Sequence, residues 1–393
     1  MKIKSLLLLG IAAQLPILPI ASQTLTFDNA YEIATTNCLD FKIKDAQISA
    51  SVANGWQARA LPNPTLSVNL CTIGHAIADD ENQLTVTVSQ LVELGGKRSI
   101  RINGNAIDQI IAHWDVESQK LNLKKELLHD FIDIAALQES WLIDEKLYEI
   151  AKKQAECDVK TLPAEKTSPL EIKKKQLACQ STYLQRLKRE QELKKAKNTL
   201  FTRLESKDFD GIDFDLFEAK SPSFPTSIAE NPEVNLGRAK LIASWWAWQT
   251  EKAAQIPDVN VQVGVTTQKF TQDAAFNAGF SMPLPIFNRN QGGVQRAICD
   301  YNAAFFGQEQ LEKGKKILAE LHFKESLFAY EQFVFVRDHL MPLAKEAYDL
   351  AKAAHDEKKM DYLDLLDAEA SLLNTKGQLI DAAKDYHHKV TEL

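Results

Sequence analysis

Between Leu25 and about Ala60 apolar and polar residues alternate at helical spacing, and the pattern stops at Leu61-Pro62-Asn63-Pro64, where two prolines forbid continuation. A first helix is predicted to end there. Thr65-Leu66-Ser67-Val68-Asn69-Leu70 and Leu84-Thr85-Val86-Thr87-Val88-Ser89 then alternate with period two around a polar stretch, Thr72 to Gln83, which predicts a strand, a loop and a returning strand. After Gly95-Gly96 no proline occurs until Pro163. Leu127, Ile134, Trp141 and Tyr148 recur every seven residues, as do Leu121, Leu128, Ala135 and Leu142. Two adjacent seams suit a helix held between neighbours on both sides, and about 60 residues at about 1.5 Å each reach roughly 90 Å. Thr161 to Pro169 reads as a turn, Pro169 to about Leu204 as a returning helix, and the aperiodic stretch from Glu205 to Ile228 as a connector.

The same order then recurs. A helix from about Ala229 ends at Ile256-Pro257, 195 residues after Leu61-Pro62. Val259 to Val265 alternates, Thr266 to Ala275 is a polar loop, and Phe276 to Met282 returns. Gly292-Gly293 opens another long helix, with Arg296 again 195 residues after Arg101. Val294, Ile298, Tyr301 and Phe305 mark its seam, Pro342 is expected to kink or break it, and a turn at 355–360 precedes a last helix. The predicted fold is mainly α with β, a helix-strand-strand-helix-helix unit used twice. Its bounds are 23–206 for the first unit (strands 64–74 and 83–92, helical tip 161–169), 207–228 for the connector, and 229–393 for the second unit (strands 258–268 and 275–283, helical tip 355–360).

Length alone would suggest two or three compact domains for 393 residues, but only 15 glycines and 13 prolines favour few, long elements. With 45% hydrophobic and 25% charged residues, neither global disorder nor a multi-span helical membrane protein is indicated. A net charge of −7 argues against a nucleic-acid partner. At the N-terminus, Lys2 and Lys4 precede an apolar run from Ser5 to Ile20 and then Ala21-Ser22, the layout of a signal peptide over 1–22, with a buried N-terminal helix as the other reading. An exported chain without a long apolar helix is either soluble or enters a membrane as a barrel. Each strand of about ten residues is long enough to cross a bilayer when tilted, yet four strands leave two open edges. Membrane barrels start at eight strands, and a trimer would supply twelve. A small soluble sheet capping a coiled coil is the alternative.

Chemistry adds exclusions. Gly95-Gly96-Lys97-Arg98-Ser99 has the tail of a phosphate-binding loop, but Leu91 stands where its first glycine belongs. It is read as a bend handing strand to helix, with Lys97, Arg98 and Arg101 facing solvent or lipid headgroups. Five scattered cysteines contain no CxxC pair. Cys157 and Cys179 lie at similar heights on the first hairpin, as free thiols or a disulfide. Eight histidines contain no HExxH, and His387-His388 reads as a solvated end or a weak metal contact. No catalytic group, metal site or cofactor is expected. Trp245, Trp246 and Trp248 fit packing between helices or an interfacial belt. Asp361, Asp364 and Asp367 recur every three residues, so Asp364 and Asp367 share one helix face.

Several ordered segments carry a family resemblance. They are Ala60-Leu61-Pro62-Asn63-Pro64, Ser89-Gln90 with Glu93-Leu94-Gly95-Gly96-Lys97-Arg98, Asn231-Pro232, Pro283-Leu284-Pro285-Ile286-Phe287-Asn288-Arg289-Asn290-Gln291-Gly292, and Asp361-Tyr362-Leu363-Asp364-Leu365-Leu366-Asp367-Ala368. From about Leu25 onward the chain resembles the TolC-like outer-membrane efflux proteins, nearest the heavy-metal and cation branch of CzcC and CusC. The resemblance implies a homotrimer whose twelve-stranded β-barrel in outer-membrane lipid continues into a long periplasmic α-helical barrel. It also implies docking to a periplasmic adaptor protein and an inner-membrane pump, and passage of small molecules or metal cations. Asp364 and Asp367 take the places of the aspartates ringing the family's periplasmic entrance. Glu165, Lys166, Ser168, Glu357 and Lys358, at the two helical tips, become the expected adaptor contacts. Met360 and His355 depart from the family's closing network, and Glu357 to Lys359 replace the glycine usual before the last helix. A polypeptide-secretion duct and an exported coiled-coil structural protein are the competing readings.

Overall fold

The computed structural model describes residues 24–71, 83–161, 169–205, 211–224, 230–268 and 273–393. The expected signal peptide, the loop containing Asp80, and the tip residues Glu165, Lys166 and Ser168 lie outside the described residues. The elements are α1 (Phe27–Asn37), α2 (Leu39–Arg59), β1 (Thr65–Cys71), β2 (Gln83–Val92), α3 (Lys97–Thr161), α4 (Pro169–Leu204), α5 (Pro232–Ala253), β3 (Val259–Gln268), β4 (Ala274–Ser281), α6 (Gln291–Phe335), a π-helical turn (Val336–Leu340), α7 (Met341–Asp356) and α8 (Tyr362–Glu392).

The helix expected from Leu25 to Ala60 is two helices. Cys38 leaves the helical region at ψ 124°, after the helix-poor run Thr35-Thr36-Asn37. The break lets Ala30 and Ala34 on one piece and Phe41 on the other pack into one cluster with Leu127, Phe131, Ile134, Leu200 and Leu204. The long helix is interrupted at Pro342 as expected: α6 ends at Phe335, a π turn follows, and Pro342 stands in the first turn of α7. Proline lacks an N–H and its ring crowds the carbonyl four residues back, and the wider π turn just before it absorbs that conflict.

With 65 residues, α3 spans roughly 100 Å and is the axis of the helical part, packing against α2, α4, α5 and α8. Its first seam is buried as expected at Leu127 and Ile134, while Tyr148 meets Tyr183 of α4 at 5.3 Å. The second seam fails at Leu142, which is 46% exposed; Ile143 is buried instead. A straight helix has 3.6 residues per turn and drifts away from a strict seven-residue repeat over its length. The buried positions step by eight residues from Ala135 to Ile143, and from there Ile143 and Ile150, with Ala136, pack with Leu366, Leu373, Ile380 and Ala383 of α8.

The four strands form one antiparallel sheet in the order β1-β2-β3-β4, so the pairing of β2 with β3 joins strands that are far apart in sequence. Val86 sits between Val68 and Val265, and Thr85 between Asn69 and Thr266. Gly264 is needed at this central pair. A Cβ there would lie 2.5 Å from Asn277 Oδ1, 2.7 Å from the Val86 carbonyl and 2.8 Å from Thr87 Oγ1. Backbone cannot yield as a side-chain tip can, so Gly264→Ala should lower stability by about 1–3 kcal/mol. The check is a thermal unfolding midpoint on the purified protein; an unchanged midpoint would mean the sheet relaxes freely here.

Candidate channel surfaces

No residue of the four strands is charged. The register sorts them into two faces. Leu66, Val88, Val263 and Ala278 form one row, and Val68, Val86, Val265 and Phe276 the next, all on the same face. The opposite face carries Ser67, Thr87, Gly264 and Asn277, then Asn69, Thr85, Thr266 and Ala275. Apolar residues on the first face are largely exposed, Phe276 at 89% and Phe280 at 76%. On the second face Thr85 Oγ1 and Thr266 Oγ1 lie 3.1 Å apart, and Asn277 Nδ2 donates to Thr266 Oγ1 at 2.8 Å. Among the described residues the strands pack chiefly on one another.

At the foot of the sheet Gly95 and Gly96 have φ of 68° and 73°, the left-handed backbone that turns β2 into α3 without a Cβ clash. Arg98 is exposed as expected, but Lys97 is partly buried, and all three side chains are engaged in hydrogen bonds. Lys97 Nζ bonds Asp258 Oδ1 at 2.7 Å, tying the start of α3 to the start of β3. Arg101 binds Glu93 through both terminal guanidinium nitrogens, at 2.5 and 3.1 Å. It also donates to the carbonyls of Ala58 and Ala60, while Arg98 donates twice to that of Arg59. The last carbonyls of α2 have no intrahelical donor, and these guanidinium groups supply one. Burial pushes the Asp258 carboxyl up, but Lys97 and the Leu94 N–H outweigh it and hold it below the usual range. The Glu93 hydrogen bond raises Arg101 further against burial. Glu93 and Asp258 were missed as functional partners; only their position beside Gly95-Gly96 and Pro257 hinted at them.

At the other end, α7 closes with Lys358 in left-handed backbone at φ 60°, taking the conformation that the missing glycine would have supplied. Lys358 N–H donates to His355 O at 2.8 Å, His355 Nδ1 donates to Met360 O at 3.1 Å, and Lys359 pairs with Glu357 at 2.5 Å. Glu357 and Lys358 are both exposed on this turn. Asp361 caps α8, accepting from Tyr362 N–H at 2.7 Å, and Asp364 lies in the first helical turn. Asp367 Oδ1 accepts Gln154 Nε2 of α3 at 2.7 Å. Asp364 and Asp367 are exposed and one turn apart, whereas Asp361 is taken up by the cap.

Other expectations fare unevenly. Trp248 stacks on Tyr301 and under Lys252, in keeping with helix packing, while Trp245 is partly exposed. Cys179 carries a free thiol, and the side chain of Cys157 lies outside the described residues. His387-His388 is not a solvated end: His387 Nε2 lies 2.9 Å from Leu216 O and His388 Nε2 2.9 Å from Asp133 Oδ1. Among the described residues no group of three or more His, Cys, Asp or Glu side chains could hold a metal ion.

No protein-family model matches the sequence. The chain is 23% identical over 368 residues to the cobalt-zinc-cadmium resistance protein CzcC of Cupriavidus metallidurans, covering 91% of its own length and 86% of the relative's. Its fold matches the crystal structure of CusC with a TM-score of 0.72 and 17% identity over 97% of both chains. It matches the Campylobacter jejuni CmeC outer membrane channel with a TM-score of 0.76 and 15% identity, over 93% of this chain and 84% of that one. The chain is thus similar in sequence, over most of its length, to a cobalt-zinc-cadmium resistance protein, and it shares its fold with outer membrane channels.

Proposed function

We propose that the chain is the outer-membrane exit duct of a tripartite efflux system, passing metal cations or other small molecules from periplasm to exterior. The observation that carries this reading is the uncovered, charge-free sheet with one apolar and one polar face. In water such a single layer has no core. In a closed barrel the apolar rows face lipid and the hydroxyls and amides face an aqueous lumen. A soluble coiled-coil protein would have no use for exposed Phe276 and Phe280.

Three chains would supply twelve strands, with β4 of one protomer pairing antiparallel to β1 of the next. Exposed Phe306, Ile317, Leu343 and Leu350 along α6 and α7 would then pack against the neighbouring protomer. A unit used twice is supported by the recurring element order and by Gly95 and Asn290, which are 195 residues apart and both left-handed at the turn from strand to helix. The likeness to a cobalt-zinc-cadmium resistance protein favours metal cations over polypeptides as cargo. Asp364 and Asp367 of three chains would place six carboxylates around the periplasmic entrance, a cation-attracting ring. The turns at 161–169 and 355–360 would meet the adaptor, which links the duct to an inner-membrane pump.

Extracted in detergent, the protein should be a trimer, and single-channel recording should show a cation-preferring pore blocked by a trivalent cation from the periplasmic side. Asp364→Ala/Asp367→Ala should weaken that block roughly tenfold or more, whereas Asp361→Asn should leave it nearly intact. Added salt should weaken the block in the parent by screening. Equal block in parent and double variant would move the constriction elsewhere, and a monodisperse soluble monomer would refute the duct.

Adaptor docking is tested separately. Photocrosslinkers at Glu165 and Lys358 should capture the adaptor and one at Asp80 should not; equal capture from all three positions would invert or abolish the assigned topology.

A further inference from the structure

The helical part has two outer flanks, as the sheet has two outer strands. α3 packs on α8, while α4 lies chiefly against α3 and α1, and α7 chiefly against α8 and the π turn. Among the described elements the order across the long helices is therefore α4, α3, α8, α7, with α4 and α7 outermost. α7 continues α6 away from β4, and α1, which packs on α4, leads through α2 into β1. The outer helices thus belong to the same two edges as the outer strands.

Both outer helices carry an apolar stripe. On α4, Leu170, Leu177 and Leu184 recur every seven residues and are exposed, Leu177 at 71%. On α6 and α7, Leu321, Phe328, Phe335, Leu343 and Leu350 are exposed as well, and they step by seven, seven, eight and seven residues. In an unbroken α-helix the step of eight would turn Leu343 about 80° away from Phe335. The π turn from Val336 to Leu340 falls within that step, and its wider coil takes up the additional residue. Leu343 and Leu350 therefore return to the face of Phe335. A repeat of seven is the period at which one helix seats against another.

The heights of the two stripes follow from contacts inside the chain. Tyr183 meets Tyr148 at 5.3 Å, and six residues from that contact, toward the helical tip, stand Leu177 on α4 and Gln154 on α3. His355 meets Tyr362 at 5.6 Å, and five residues from that contact, away from the tip, stand Leu350 on α7 and Asp367 on α8. Gln154 Nε2 donates to Asp367 Oδ1 at 2.7 Å. Leu177 and Leu350 are thus level, on opposite flanks of one chain, and seven residues along each helix Leu184 and Leu343 are level too. Closer to the tip, exposed Lys174 of α4 and exposed Asp356 of α7 differ in height by roughly 5 Å. Rotation about an axis along the helices preserves height, so copies set in a ring present level positions to each other.

We propose that the stripe kept in phase by the π turn seats α4 of a second copy, with Leu350 against Leu177 and Leu343 against Leu184. This rests on the reading of the chain as a ring-forming duct, and adds which faces meet and in what register. α4 runs toward the sheet and α7 away from it, so the two helices pair antiparallel. The contact is between unlike flanks, so repeating it closes a ring with no free flank. Lys174 borders the seam on one copy and Asp356 on the other, opposite charges at nearly one height. Because Leu350 is level with Asp367, the same contact fixes how far apart the acidic segments of neighbouring copies stand.

The test is disulfide trapping in the full-length protein in detergent, with its five native cysteines replaced by Ser. Leu177→Cys/Leu350→Cys and Leu184→Cys/Leu343→Cys should each give a covalent trimer on oxidation, since facing positions come within disulfide reach. Gln191→Cys/Phe335→Cys, on the sheet side of the π turn, should do so as well. Leu177→Cys/Phe328→Cys, on the same stripe but 22 residues from Leu350 and so roughly 33 Å away, should give roughly tenfold less. A trimer of normal size in which matched and mismatched pairs link equally, or none links, would overturn the seam and leave the duct standing. Linkage at α7 without linkage at Phe335 would overturn the role of the π turn. A monomer in detergent would overturn seam and duct together. Single Leu350→Cys gives a check that needs no disulfide: a water-soluble maleimide should label it roughly tenfold more slowly than Lys358→Cys in the trimer. Equal labelling rates would leave this face open to water and overturn the proposal.

Discussion

The edges of the sheet govern the rest of the molecule. Among the described residues the outer strands β1 and β4 have no strand partner on their outer sides, and the sheet packs chiefly on itself. In lipid each unpaired backbone group costs several kcal/mol, and in water an uncovered single layer has no core to stabilise it. Closure with further copies satisfies both demands at once. It would also fix what the helices must do, because every strand end on the helical side leads to a helix: α2 precedes β1, β2 leads to α3, α5 precedes β3 and β4 leads to α6. A closed sheet therefore imposes a ring of helices below it.

The junction between sheet and helices is built from ion pairs, whose value depends on geometry. An isolated surface pair contributes little. Arg101 is different because one guanidinium group grips Glu93 at two points and also serves the carbonyls at the end of α2. Lys97 and Asp258 do the corresponding work between α3 and β3. Together these bonds fix the angle at which strands leave helices, which a flexible linker could not do. Far below, the stretch at 211–224 is fastened by other means. Leu25 forms a short parallel bridge with Ile212, and Tyr386 both donates to and accepts from the backbone of Lys220. A segment without periodicity of its own is thereby held by helices on either side of it.

Strands were the most legible part of the sequence, because period-two alternation of Leu66, Val68 and Leu70 with Ser67 and Asn69 is a local pattern whose meaning does not depend on partners. Helix ends marked by Pro62 and Asn231-Pro232 were legible for the same reason. The break at Cys38 was not, since it is decided by how two short helices share one cluster with α3 and α4. Nor was the exchange of Leu142 for Ile143, which accumulates from a small mismatch of period along a long helix. The partners of Lys97, Arg98 and Arg101 were not legible, because a run of positive charge shows no acceptors until the fold brings them beside it.

The acidic turn shows how far structural need accounts for a charge. Asp361 has a complete local reason to exist, since it caps the first exposed N–H of α8. Asp364 has a partial one: in the first turn its carboxylate is favoured by the positive end of the helix dipole. That field fades beyond the first turn, so it does not explain Asp367. The Gln154 bond does not explain it either, because a neutral asparagine in that place would also offer an oxygen to the amide. Asp367 is thus the member of the three whose negative charge the fold requires least. A charge with little structural purpose, exposed on the helix where a cation duct would open, is where selection for transport would leave its mark.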